Sequence, residues 1–258
     1  MDTQQTTMTM PPAHGQAVQH GSQIEQAYWH LRQQIIEGHL KPSEKLRIDF
    51  LRERYGFGAS ALREAMSRLV SDGLVESEAQ RGFWVARIGP EEFRDITLAR
   101  KAVEVEALRQ SMQFGQLDWE ERVVAARHSL ERVETSMMEA TAEVITRWEH
   151  QNRQFHMALI SGCPSKWLLR FTVQLYDQSQ RYRHRTILRR PIPRRGLSKE
   201  HTEIVEATLK RDIDRACAAL SRHIDTTALA VEKAIFGPDA QTAAQAQPVR
   251  KKAPRVAS

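Results

Sequence analysis

The sequence predicts a mainly α-helical protein in two parts: a small N-terminal domain of three short helices closed by a β-wing, and a larger C-terminal bundle of six antiparallel helices. Three observations carry that prediction. Residues 22–88 hold three short runs of helical apolar periodicity, followed by two short β-type runs around a glycine turn. Residues 91–236 keep a period near 3.6 almost throughout and show no strand pattern. The breaks between these long runs are short, as antiparallel neighbours require.

Residues 1–21, rich in Gln, Thr, Met, His and Pro and without periodicity, read as a disordered arm. Ser22 and Glu25 have capping-box spacing. They open a helix whose apolar side is Ile24, Ala27, Tyr28, Leu31, Ile35 and Ile36; Gly38 stops it and Pro42 follows. A second short helix is expected over residues 49–54. Gly56 and Gly58 offer turn freedom before a third. Ser60 reads as its N-cap. Leu62, Ala65, Met66 and Leu69 fall on one face, Ser60, Arg63, Ser67, Arg68 and Ser71 on the other, and Gly73 ends it. Residues 74–78 and 83–87 are expected to pair as a two-stranded wing around 79–82. The whole is a winged helix-turn-helix. Its third helix, apolar inside and neutral-to-basic outside, suits a DNA major groove. Ser60, Arg63, Ser67 and Arg68 are the candidate DNA contacts, with Arg81 and Gly82 at the wing tip.

Gly89-Pro90 reads as a linker, and Glu91 and Glu92 suit a helix N-terminus. The first long helix carries Phe93, Ile96, Leu98, Ala99, Ala102, Val103, Val105, Ala107 and Leu108. Asp118 reads as the N-cap of the second. A third runs over 141–161 to Gly162-Cys163-Pro164. A fourth starts near Ser165, before Pro191 and Pro193 break the chain. A fifth spans 198–211 and a sixth 212–235. Residues 237–258, rich in Ala, Gln and Pro with a basic end, read as a disordered tail.

Composition narrows the partners. Of 258 residues, 41% are hydrophobic and 27% charged, which suits a globular protein with a real core. A net charge of +6 and a pI near 9.5 favour a polyanion. No apolar run is long enough to span a bilayer, and no signal-peptide pattern opens the sequence. Two cysteines without CxxC spacing indicate neither a disulfide framework nor a cysteine zinc site, so the expected location is a reducing cytoplasm.

Three histidines stand out. Asn152 and His156, at i and i+4, share one helix face, and Phe155 and Leu159 beside them turn that face inward. His201 opens the fifth helix and His223 lies on the sixth. If those helices are antiparallel neighbours, the turn near 211 brings the two imidazoles together. Three neutral imidazoles and an oxygen match the donor chemistry of zinc, nickel or a similar divalent ion. Each histidine taken alone fits a satisfied core or surface residue better.

The blocks I-I-E-G-H-L-K-P-S-E-K-L-R (35–47), L-R-E-A-M-S-R-L-V-S-D-G-L-V (62–75) and R-G-F-W-V (81–85) resemble the GntR superfamily of bacterial transcription regulators. In the helical half, R-K-A-V-E-V-E-A (100–107), N-R-Q-F-H-M-A-L (152–159), E-H-T-E-I-V-E-A (200–207) and R-H-I (222–224) resemble the FCD effector domain of its FadR branch. That resemblance implies a metal held by His156, His201, His223 and the residue at 152, where the family's Asp is replaced here by Asn. An amide offers only a neutral carbonyl oxygen, so weaker metal retention is expected. It also implies an effector cavity, with Arg100 placed either on an effector carboxylate or in a structural pair with Glu104. Arg181, Arg183, Arg185, Arg189, Arg190, Arg194 and Arg195 form a basic run expected to be mostly solvated, with Tyr182 and Arg183 as candidate cavity-wall residues. The W-L-L-R-F and R-Y-R stretches resemble a smaller group of regulators of glutarate or 2-hydroxyglutarate catabolism.

The expected function is therefore that of a homodimeric DNA-binding regulator, more a repressor than an activator. Its partners are a double-stranded operator and a small carboxylate, possible dicarboxylates included. The recognition helix departs from the family pattern, since Gly58, Ala59 and Ser60 stand where it has S-R-T. Two other readings stand beside this one. A metal-dependent hydrolase would use the three-histidine site, although no HExxH motif occurs. A basic architectural protein would bind DNA without an effector.

Overall fold

The computed structural model of the chain describes residues 21–136, 141–189 and 197–238. The arm and tail expected at the two ends therefore lie almost wholly outside the described residues, as do Arg190, Pro191, Pro193, Arg194, Arg195 and the side chain of Arg189. Two compact units meet at the 87/88 boundary.

The first unit begins with α1 (Gln23–Ile36), closed at its start by the full Ser22/Glu25 capping box. β1 (Lys45–Leu46) follows, then α2 (Ile48–Tyr55) and α3 (Ala59–Ser71). Gly56 takes φ 76 as the left-handed cap of α2, a conformation favouring glycine; Gly58 does not (φ −64). Gly58 itself is the N-cap of α3 through its backbone, its carbonyl accepting from the Leu62 amide at 3.0 Å. The expectation for Ser60 is thus corrected: the cap lies two residues earlier, and Ser60 lies in the first turn of the helix. β2 (Val75–Glu78) and β3 (Gly82–Val85) pair antiparallel, Val75 opposite Val85 and Glu78 opposite Gly82. The wing is not two-stranded, because β1 adds to the free edge of β3 with Lys45 opposite Trp84. Ala27, Leu31, Leu51, Leu62, Met66, Leu69 and Val85 form one buried core beneath α3 and the sheet.

Among the described residues the second unit holds six long helices: α4 (Pro90–Phe114), α5 (Leu117–Ser136), α6 (Ala142–Ile160), α7 (Lys166–Arg189), α8 (Leu197–Leu209) and α9 (Ile213–Phe236). Asp118 falls within the first turn of α5 and bonds Arg122 at 2.7 Å, so it is not the N-cap expected. Thr141 and Asp212 do cap α6 and α9 with their side chains. Side-chain pairs give the directions. Arg100 meets Ser179, and Gln110 meets Cys163 just before α7, so α4 and α7 run antiparallel. Arg94–Glu232 and Lys101–Asp225 show the same for α4 and α9. The main core includes Leu108, Trp119, Leu130, Phe155, Tyr176, Ile204 and Leu220. Phe93, Tyr182 and Val231 form a smaller one.

The described arginines of the basic run on α7 do not form a solvated face, and Arg185 is half-buried. Arg181, Arg183 and His184 are buried, because α7 packs against α4, α6 and α9 and has little free circumference. Apolar periodicity cannot show this, since the inward side chains are charged.

Candidate functional site

The outer face of α3 is the one the sequence indicates. Ser60, Arg63, Ser67 and Arg68 are all exposed, while Leu62, Ala65, Met66 and Leu69 anchor the helix from below. Arg68 lies over the Tyr28 ring at 4.7 Å, and Tyr28 donates to Asp72 at 2.7 Å. Arg68 is thereby partly pre-positioned, whereas Arg63 projects freely enough to meet a base edge or phosphate. At the wing, Arg81 and Gly82 are exposed, with Arg81 3.4 Å from Glu78. Gly82 takes φ 108, a conformation open to glycine, and Gln80 in the same turn is also left-handed at φ 61. Lys45 lies 4.9 Å over the Trp84 ring on the same sheet, a basic neighbour that its two-residue strand did not advertise in the sequence.

Inside the helical unit, His156 of α6, His201 of α8 and His223 of α9 converge. One nitrogen from each lies within 4.8 Å of the others, and all three residues are buried. The three-residue turn 210–212 places His201 and His223 with ring centroids 4.7 Å apart. In each ring Nδ1 is taken by a carboxylate. His156 meets Glu104 at 2.5 Å, His201 meets Glu134 at 2.7 Å and His223 meets Glu200 at 2.8 Å. That leaves Nε2 as the available nitrogen, and His201 Nε2 is buried with no partner. Asn152 donates from Nδ2 to the Tyr176 hydroxyl at 2.9 Å, while its buried Oδ1 has no partner.

The electrostatics suit ligand duty. Burial pushes His156 down to about 3, outweighing the Glu104 charge that would raise it. Burial likewise brings His223 down to about 4 despite its bond to Glu200. Both imidazoles are thus neutral at pH 7, the form that binds metals. Burial alone would raise Glu104, but Arg100 and His156 together hold it well below the usual carboxylate range. Burial of Glu134 is similarly outweighed by its bond to His201 and the nearby Arg127. Neutral imidazoles, an amide oxygen and two buried atoms lacking partners fit a nitrogen- and oxygen-preferring divalent cation.

Of the candidate effector contacts, Arg100 and Arg183 lie beside this cluster. Both guanidinium groups stand over the Tyr176 ring, at 4.7 and 5.0 Å, and that ring is 5.4 Å from His156. Arg100 makes the pair with Glu104 that its spacing allows, at 2.7 Å, and reaches Ser179 at 3.3 Å. Arg183 binds both oxygens of Glu149 and the Tyr176 hydroxyl. Tyr182 is not brought to the histidines. Its ring packs on Phe93, 4.6 Å away, and its hydroxyl donates to Glu92. The carboxylates supporting the histidines were the residues least legible in the sequence. Glu104 was visible only as a partner of Arg100 and Glu200 only as part of a motif, and Glu134 gave no signal.

Comparison with known proteins places both halves. Residues 23–85 match the family described as bacterial regulatory proteins, gntR family, and residues 95–226 match the FCD domain. The chain is 39% identical over 206 residues to the HTH-type transcriptional regulator BphR of Paraburkholderia xenovorans, covering 80% of this chain and 84% of that protein. It is 32% identical over 213 residues to the HTH-type transcriptional repressor GlaR of Escherichia coli, covering 81% and 96%. Among solved structures, E. coli McbR/YncC has the same fold with a TM-score of 0.71 at 20% identity, over 83% of this chain and 98% of that one. A GntR regulator from Rhodococcus sp. RHA1 gives 0.67 at 20% identity, over 83% and 99%. The family matches, with BphR and GlaR described as a transcriptional regulator and a transcriptional repressor, remove the hydrolase reading of the histidine cluster. No described helix is long and apolar enough to cross a membrane. The chain belongs to the GntR family of bacterial transcription regulators, with a winged DNA-binding domain joined to an FCD domain.

Proposed function

We propose that this regulator is a cytoplasmic repressor, acting as a homodimer on a two-half-site operator and controlled by a small carboxylate bound in its helical unit beside a divalent metal. The observation that carries the ligand-binding part is the convergence of three carboxylate-backed imidazoles with the unpartnered Oδ1 of Asn152. His156, His201, His223 and Asn152 would hold the ion, with zinc or nickel fitting the donor set. When bound, the ion supplies a positive centre that favours an anionic effector group. Arg100 and Arg183 flank the cluster and are the proposed cationic contacts for the effector carboxylate, each having to share its present carboxylate partner. Tyr182, in the smaller core, instead fixes α7 against α4. The printed description of GlaR as a repressor supports the sign of regulation. On the DNA side, Arg63 and Arg68 with Ser60 and Ser67 read the major groove, and Arg81 and Gly82 follow the backbone at the wing.

Control requires that the effector bind the DNA-competent and DNA-incompetent states with different affinity. The test is a thermal-shift screen of mono- and dicarboxylates, glutarate and 2-hydroxyglutarate among the first, with and without chelator. A ligand specific for the native state raises the melting temperature. The hit is then added to a gel-shift assay on DNA upstream of the protein's own gene. A repressor released by its effector loses the shifted band. No carboxylate-dependent stabilisation, or a band insensitive to every stabilising ligand, refutes the effector reading.

A further inference from the structure

We propose that Glu104, Glu134 and Glu200 are positioning residues of the histidine site, and that its grip on a divalent cation depends on their negative charge. This rests on the metal reading above. The donor atoms on offer, one nitrogen from each of three imidazoles and one amide oxygen, bring no negative charge of their own. The negative charge lies one residue further out, with one carboxylate behind each imidazole, and each is delivered by a helix other than the one bearing its histidine. Glu104 of α4 supports His156 of α6, Glu134 of α5 supports His201 of α8, and Glu200 of α8 supports His223 of α9.

An ionised carboxylate can only accept a hydrogen bond. Each Nδ1 is therefore the donor to its carboxylate, which leaves Nε2 as the nitrogen outside these bonds. A carboxylate behind an imidazole also raises its basicity and fixes its ring. Glu104 and Glu134 are held from their far sides by Arg100 at 2.7 Å and Arg127 at 3.2 Å. Arg127 is anchored in turn on Ser198 and Thr202. The guanidinium groups of Arg100, Arg153 and Arg183 lie within 5.4 Å of the Tyr176 ring, Arg153 and Arg183 being matched by Asp177 and Glu149. With no anionic donor atom, and with Glu149 and Asp177 engaged by Arg183 and Arg153, the three glutamates in contact with the imidazoles are the groups placed to offset an added positive charge.

The full-length protein, stripped with chelator, is titrated with Zn²⁺ against a chromophoric competitor and with Co²⁺ by visible absorption. Unfolding of the metal-free form is measured alongside. Glu104→Gln, Glu134→Gln and Glu200→Gln each retain an oxygen that can accept the Nδ1 proton but lose the charge. Each is expected to weaken Zn²⁺ binding about 10–100-fold. Asn152→Asp adds an anionic donor oxygen and is expected to tighten binding and to restore it in the Glu200→Gln background. If a buried variant fails to fold, Glu200→Gln carries the test, because the Glu200 side chain is 26% exposed. Wild-type protein that takes up neither ion overturns the metal reading and this inference with it. Wild-type binding that His201→Ala abolishes but every Gln variant retains at full affinity overturns this inference alone.

Discussion

Replacing Arg183 with methionine should strand the Glu149 carboxylate inside the bundle. Arg183 donates to the two Glu149 oxygens at 2.9, 3.2 and 2.8 Å and to the Tyr176 hydroxyl at 3.0 Å. The two side chains are only 3% and 4% exposed, so water cannot replace the lost partner. Breaking a buried ion pair from one side costs about 3–5 kcal/mol, whereas replacing both members with apolar groups of similar volume is often close to neutral. Arg183→Met and Glu149→Leu should each be destabilising by that amount, and the double variant should fall far short of their sum. At about 2–4 °C per kcal/mol for a domain of this size, each single variant should melt roughly 10 °C lower. The assay is thermal unfolding followed by circular dichroism on metal-free protein. Single effects below about 1 kcal/mol, or a double variant additive within about 0.5 kcal/mol, would refute the account. The outcome also sorts structure from effector contact. A residue held only for the effector would leave ligand-free stability unchanged.

Three further outcomes are expected. Arg63→Ala, on the exposed face of α3, should weaken operator binding by about 1–3 kcal/mol if Arg63 reads a base, and a gel shift unchanged from wild type would sink that role. Acid should destabilise the metal-free protein. His156 and His223 keep folded pKa values of about 3 and about 4, below the roughly 6.5 of an unfolded imidazole. Between these limits the unfolded chain binds protons that the native one does not, so stability rises with pH. Within that window the two groups tilt stability by at most about 2.7 kcal/mol per pH unit; their contribution is complete above 6.5 and is lost as pH falls through about 4 and about 3. Equal urea midpoints at pH 7 and pH 5 would contradict this. Gly115→Ala would place a methyl carbon 2.5 Å from the Ser111 carbonyl oxygen and 2.5 Å from Trp119 Cε3. Neither can yield easily, because the indole nitrogen donates to Ala158 and Leu159 carbonyls. A loss of about 1–3 kcal/mol is expected from overpacking, and a melting temperature equal to wild type would show that the α4–α5 corner relaxes.

The sequence disclosed what repeats and concealed what depends on partners from distant segments. The helical period located α3 and the six bundle helices, and the i, i+4 spacing put Asn152 and His156 on one face. His201 and His223 followed from a single tight turn. Glu134 could not be found that way, since it stands 67 residues from His201 and meets it only after α5 and α8 pack. The arginines of α7 misled for a related reason: a charged residue such as Arg183 reads as exposed unless its buried counter-ion, here Glu149, is already known. Two-residue β1 is too short for any period to register. Ser60 has the right chemistry for a cap, but the chain turns earlier, at Gly58.

Glu200 and His201 are adjacent in sequence yet serve different donors. Successive side chains on a helix diverge by about 100°. His201 therefore turns toward Glu134 on α5, while Glu200 turns toward His223 on α9. This makes α8 a rocker between two of the three imidazoles. A small roll of α8 about its own axis moves one donor and loosens the backing of another at the same moment. The donor set is consequently sensitive to the orientation of a single helix.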